Sequence, residues 1–167
     1  MKIAIVVAVL IVGVLIWRAT NNGAPSGASA TSAADTMPGA SGPHADHNPK
    51  HGGEFFMAMN NHHHLEGVLE APGTFRVYVY DAFTRPLPPD QVKQISGTVV
   101  VGDSENAPEV PLSLSSDGET LEAHLGDKVS PPVTLTLQVR FPGMTMEQRP
   151  ELFTFPFSEY SKSAVTR

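Results

Sequence analysis

The stretch Val133–Phe141 reads VTLTLQVRF, and it decides the fold class of this chain. Apolar side chains stand at every second position, and threonine, glutamine and arginine occupy the positions between them. Side chains of a β-strand point alternately to its two faces, so the pattern predicts a strand with one buried and one solvent-exposed face. The stretch Thr74–Asp81, TFRVYVYD, follows the same rule and predicts a second strand of this kind.

Further short runs with strand character follow one another along the chain, separated by turn residues. They are Glu54–Met59, His62–Glu70, Ile95–Val101, Glu109–Ser115, Glu119–Leu125 and Leu152–Phe157. Asp117-Gly118 between two of these runs predicts a hairpin turn. Prolines exclude long helices and leave only Pro89–Gln94 as a single helical turn. We therefore predict an all-β fold, an immunoglobulin-like two-sheet sandwich of roughly seven or eight strands.

The N-terminus carries a different signal. Ile3–Trp17 is a run of fifteen apolar or glycine residues between Lys2 and Arg18. As a helix it rises about 22 Å, and flanking residues or bilayer thinning must cover the rest of a ~30 Å hydrocarbon core. We predict a transmembrane helix that anchors the chain in the cytoplasmic membrane through residues 3–17, with the C-terminal part periplasmic or extracellular. The alternative is a cleaved signal peptide and secretion to the periplasm, although the first A-x-A triplet, Ala28-Ser29-Ala30, comes late.

These signals divide the chain into four parts. Residues 1–20 form the anchor or signal segment, and residues 21–50 form a flexible linker rich in Gly, Ala, Ser and Pro. Residues 51–160 form the sandwich domain, and residues 161–167 form a tail. His44 and His47 fall in the linker, where we expect them to be solvated.

Composition excludes several functions. The net charge is −6 and Lys and Arg never cluster, so nucleic acid is not a partner. The chain has no cysteine, so a metal site must use His, Met, carboxylate or backbone ligands. No hydrolase elbow, phosphate-binding loop or metalloprotease motif occurs, and we predict that the chain is not an enzyme.

One segment concentrates residues that bind metals: residues 51–67, HGGEFFMAMNNHHHLEG. If Asn60-Asn61 forms a two-residue hairpin turn, Met57 lies opposite His64 and Met59 lies opposite His62. Strand alternation then puts these four side chains on one face together with Glu66. The predicted metal ligands are drawn from His51, Met57, Met59, His62, His63, His64 and Glu66.

Imidazole and thioether ligands together favour copper, and Met favours Cu(I). Zinc is the alternative, and it would use His and Glu66. A loop of odd length would instead bring His63 onto the methionine face. The cluster could also be solvated edge-strand surface with methionines as core filler. Whether Met144 and Met146 join the site stays open, and His124 is expected on the surface.

The order of short motifs resembles a family. His51-Gly52-Gly53, then His63-His64-Leu65-Glu66, then VYVYD and Arg85-Pro86-Leu87 resemble small bacterial periplasmic domains that are related to modules of heavy-metal efflux adaptor proteins. The match spans about residues 51–88. It implies an extracytoplasmic β-sandwich that binds copper or another transition metal, with His51, His63, His64 and Glu66 matching the pattern. The chain lacks an adaptor's helical hairpin, so a freestanding module is expected. The alternative function is an envelope protein-interaction or scaffold domain with no metal role.

Overall fold

A computed structural model describes residues 42–162 of the chain. The predicted membrane segment, most of the predicted linker and the last residues of the predicted tail lie outside this range. Within residues 42–162, no helix combines the length and the apolar character that a membrane crossing requires. The strands are β1 Glu54–Met57, β2 His63–Glu70, β3 Thr74–Asp81, β4 Ser96–Val101, β5 Glu109–Pro111, β6 Ser113–Leu114, β7 Leu121–His124, β8 Val133–Arg140 and β9 Glu151–Phe157, and the short helix α1 is Pro89–Val92.

The strands form two antiparallel sheets, which confirms the all-β prediction. The first sheet has the order β1-β2-β3-β7-β6, and the second has the order β5-β4-β8-β9. One hydrophobic core is shared by both sheets, because the alternating apolar side chains of each sheet contribute to it. Leu135, Leu137 and Val139 of β8 are fully buried there, as the period-two pattern of this strand predicts.

Aromatic packing in the core fixes how the sheets meet. The Phe155 ring of β9 lies 5.1 Å from the Phe75 ring of β3 and 5.0 Å from the Phe56 ring of β1, both edge-on. The same ring covers Gly67 in β2, where an added Cβ would come within 2.3 Å of Phe155 Cε1. A side chain at position 67 would therefore push the two sheets apart, and glycine allows the close approach.

One predicted strand is divided between the sheets. The run Glu109–Ser115 continues as β5 in the second sheet and then as β6 in the first. Pro111 is the last β5 residue paired with β4, opposite Thr98, and beyond it the Leu112 N–H still donates to the Gly97 carbonyl at 2.9 Å. The predicted turn at Asp117-Gly118 joins β6 to β7, with Gly118 at φ +77°. The predicted helical turn is α1.

The β1–β2 hairpin has the predicted strand register but a different turn. Phe55 pairs with Glu66 and Met57 pairs with His64, as the sequence predicts. The two-residue turn is wrong: the last backbone bond joins the Ala58 N–H to the His63 carbonyl, so the loop spans residues 59–62. The Asn60 side-chain oxygen accepts bonds from the backbone N–H groups of residues 62 and 63, which stabilises this wider loop.

Candidate metal centre

Residues 42–53, the covering segment, lie across the outer face of the first sheet. The sequence assigns residues 42–50 to the linker, but in the structure they are bound to β3 and the loop after it. The His44 N–H donates to the Ala82 carbonyl at 2.7 Å, and the Thr84 hydroxyl donates to the Asp46 carbonyl at 3.2 Å. These bonds hold the first half of the covering segment beside the start of β2, because the end of β3 pairs with His63 and His64.

The covering segment brings two histidines to a third one in β2. One ring nitrogen from each of His44, His47 and His64 lies within 4.8 Å of the other two. His44 Nδ1 and His64 Nε2 are 3.1 Å apart, and the ring centroids of His47 and His64 are 5.4 Å apart. Two imidazole nitrogens that bind one ion at about 2.0–2.1 Å in tetrahedral geometry are separated by about 3.3 Å. Small rotations of the His44 and His47 rings would therefore suffice to bind a shared ion.

His64 is the fixed member of this trio. Its side chain is fully buried, and its Nδ1 lies 2.9 Å from the Asp81 carbonyl oxygen. Because a carbonyl oxygen can only accept, Nδ1 carries the proton and Nε2 presents its lone pair to the other two rings. A backbone carbonyl that orients a histidine in this way is a common second partner of metal-binding imidazoles.

The surroundings of His64 keep its ring neutral. Burial lowers the pKa of His64 below its ordinary value, and the nearby rings of His44 and His47 act in the same direction against the bond to the Asp81 carbonyl. The Phe55 ring stacks on His64 with centroids 5.3 Å apart and covers one side of the trio. A neutral imidazole is the form that binds metal ions, so the ring is in its binding form near neutral pH.

A buried carboxylate holds the second half of the covering segment. Glu66 is fully buried, and its Oε1 accepts bonds from the backbone N–H groups of His51 at 2.7 Å and Gly53 at 3.0 Å. Its Oε2 accepts from the Lys50 N–H at 2.9 Å and from the Tyr80 hydroxyl at 2.9 Å. Burial opposes ionisation of Glu66, but these donated bonds outweigh it and lower its pKa.

His51 belongs to this carboxylate network. Its Nδ1 lies 3.1 Å from Glu66 Oε2 and 3.0 Å from the Tyr80 hydroxyl oxygen. Its ring is stacked on Tyr78 at a centroid distance of 3.5 Å. Burial raises the pKa of Tyr80, and the adjacent Glu66 carboxylate adds to the rise, so the hydroxyl stays a donor. The predicted ligands His51 and Glu66 thus contact each other. Neither belongs to the trio of His44, His47 and His64.

The remaining predicted ligands are spread over the hairpin. Met57 lies directly opposite His64 and is 46% exposed, whereas Met59 in the loop is 83% exposed. His62 is exposed in the same loop. His63 points to the other face of β2, where its ring stacks on Phe141 at 4.7 Å. Of the predicted set, His64 belongs to the trio, and Met57 is its direct partner in the β1–β2 pairing.

Sequence reasoning missed His44 and His47 as members of the site, because it treated them as solvated linker residues. The only sequence signal that could have found them is their spacing of three in His44-Ala45-Asp46-His47, just before His51-Gly52-Gly53.

Met144 and Met146, whose membership in the site the sequence left open, are not part of the trio. The Met144 sulfur accepts a bond from the Phe141 N–H at 3.3 Å and packs on the core, while Met146 is 84% exposed. His124 is exposed, as predicted.

Among residues 42–162, His44, His47 and His64 are the one group of three or more His and carboxylate side chains close enough to share an ion. Comparisons of the chain with protein-family models, curated proteins and solved structures found no match. The resemblance to periplasmic and efflux-adaptor domains therefore stays a prediction.

Proposed function

We propose that this chain is a membrane-tethered, extracytoplasmic module that binds a transition metal, with copper as the first candidate and zinc as the second. The observation that carries the proposal is the convergence of ring nitrogens from His44, His47 and His64 within 4.8 Å. Three neutral imidazoles suit copper and zinc alike, and they bind either ion without a cysteine.

The exposure of the site supports reversible binding. His64 is fully buried and oriented, while His44 is half-buried and His47 is exposed. An ion bound to His64 would therefore keep a side open to solvent, from which it could be captured or passed on. We accordingly propose metal capture, delivery or tolerance as the role, and binding without catalysis.

The strand order supports an immunoglobulin-like sandwich as the scaffold. In the first sheet β2-β3-β7-β6 follows the order A-B-E-D of such domains, and in the second β5-β4-β8-β9 follows C′-C-F-G. In this interpretation β1 is an addition at the edge of the first sheet, and it carries Met57 and Phe55. Attachment to the cytoplasmic membrane through residues 3–17 rests on the apolar run in the sequence.

The proposal is tested by competition titrations of the full chain, purified in detergent, with Cu(I), Cu(II) and Zn(II). We expect a single ion per chain. The double variant His44→Ala/His47→Ala should lower the affinity at least about 100-fold, because it removes two of three ligands and the loss of one outer-shell partner alone costs roughly 10–100-fold. Both residues lie on the covering segment outside the core, so the fold should persist by circular dichroism.

The matched controls are His62→Ala and His124→Ala, two exposed histidines outside the trio. Both should bind metal like the unchanged chain. If the double variant binds metal normally, the trio is not the site. If neither it nor the unchanged chain binds any of the three ions, the alternative of an envelope protein-interaction domain is favoured.

A further inference from the structure

The residue opposite His64 in the hairpin bears on which metal the site selects. Met57 and His64 are direct partners in the β1–β2 pairing. Side chains of directly paired residues lie on the same face with Cβ atoms about 4.5–5.5 Å apart. The sulfur of Met57 is thus carried on the strand next to the one that supplies the buried imidazole.

Aromatic contacts confirm which face Met57 occupies. Phe55, two residues earlier in β1, contacts the rings of His64 at 5.3 Å and Tyr80 at 5.6 Å on the outer face. Phe56 contacts Phe153 and Phe155 on the core face. Because side chains alternate along a strand, Met57 shares the outer face with Phe55 and His64.

The trio also extends toward β1. The His47 ring lies 5.4 Å from the His64 ring and 6.3 Å from the Phe55 ring, so it stands above the boundary between β1 and β2. An ion held between these imidazoles would lie above the same boundary, on the side of the sheet that Met57 occupies. Met57 is 46% exposed, and its unbranched side chain can therefore change rotamer to approach the ion.

Resting on the proposed function, we propose that Met57 is the fourth ligand of the site and makes it selective for Cu(I). A thioether is a soft, neutral ligand that stabilises Cu(I) and contributes little to Zn(II) binding. Three imidazoles and one thioether give a neutral, four-coordinate ligand set for a monovalent ion. Met59 carries the same chemistry but lies in the wide hairpin loop, where it is 83% exposed.

The test compares Met57→Leu with the matched control Met59→Leu, each in the full chain in detergent. Leucine conserves volume and apolar character, so both variants should fold normally. Met57→Leu should lower Cu(I) affinity at least about tenfold in anaerobic competition with a chromophoric Cu(I) chelator, and leave Zn(II) affinity unchanged. Met59→Leu should leave both affinities unchanged.

X-ray absorption of the Cu(I)-loaded chain gives a second, direct measurement. We expect a copper–sulfur shell in the unchanged chain and in Met59→Leu, and its loss in Met57→Leu. If Cu(I) binds with nitrogen ligands alone, or if Met57→Leu weakens Cu(I) and Zn(II) equally, the assignment of Met57 is overturned. The proposed function would survive either result, because it fails if the His44→Ala/His47→Ala variant binds metal normally or if the unchanged chain binds none of the three ions.

Discussion

Replacing Glu66 with glutamine is the most direct test of the hydrogen bonds that hold the covering segment against the first sheet. The glutamine has nearly the same shape, but one carboxylate oxygen becomes an amide NH2 group. If the NH2 group replaces Oε2, it faces the Lys50 N–H, and two donors then meet. If it replaces Oε1, it faces the N–H groups of both His51 and Gly53. In either orientation at least one backbone donor of the covering segment loses its partner.

The size of the effect follows from these bonds. A buried donor without a partner costs about 1–3 kcal/mol. The bonds that remain lose their charge assistance, which makes each of them roughly half as strong. We therefore expect Glu66→Gln to lower the free energy of unfolding by about 3 kcal/mol. For a domain of this size that corresponds to a fall of roughly 12 °C in the melting temperature.

The measurement is urea unfolding of the full chain, combined with hydrogen exchange at the amides of Lys50, His51 and Gly53. These amides should exchange faster in Glu66→Gln. Glu70→Gln is the matched control, because Glu70 lies on the same strand and face but forms only a part-exposed ion pair with Arg76 at 3.4 Å. Glu70→Gln should lower the free energy of unfolding by at most about 1 kcal/mol. The reasoning is refuted if the two variants lose equal stability or if the three amides keep their exchange rates.

Two further outcomes are expected from the same region. The lowered pKa of Glu66 stabilises the folded state above its unfolded pKa of about 4.3, and this stabilisation is lost as the pH falls through the lower folded value. The stability gap between the unchanged chain and Glu66→Gln should consequently shrink below about pH 4 in urea titrations, and a gap independent of pH would contradict this account. Gly67→Ala should cost about 1–3 kcal/mol because the new Cβ would meet the Phe155 ring. In a double-mutant cycle with Phe155→Leu, the double variant should lose less stability than the sum of the losses of the two single variants. Strictly additive losses would contradict the contact.

The strands were predictable because their signal is local. Thr74–Asp81 has the predicted bounds, and from Thr74 to Val79 buried and less buried side chains alternate as its sequence predicts; Tyr80, predicted on the solvent face, is buried as well. The pairing of Met57 with His64 also followed from chain order and alternation across a short connection. The turn between them was misjudged, because the Asn60 side chain bonds the backbone of the following residues and stabilises a wider loop than two residues. The division of the run Glu109–Ser115 between two sheets was missed because the sheet that a strand joins is decided by the strands next to it in space, not by its own sequence.

By itself, the sequence determined the faces of the strands, the shared face of Met57 and His64, and a donor chemistry limited to imidazole, thioether and oxygen. Only the tertiary structure decided that His44 and His47 join His64. The covering segment has no periodic pattern that predicts a position, and it is held by backbone bonds to Glu66, Ala82 and Thr84. His44 and His64 are separated by 20 residues. Their contact depends on two sets of bonds that hold the covering segment: Glu66 accepts from its second half, and the loop after β3 binds the first half, which carries the two histidines.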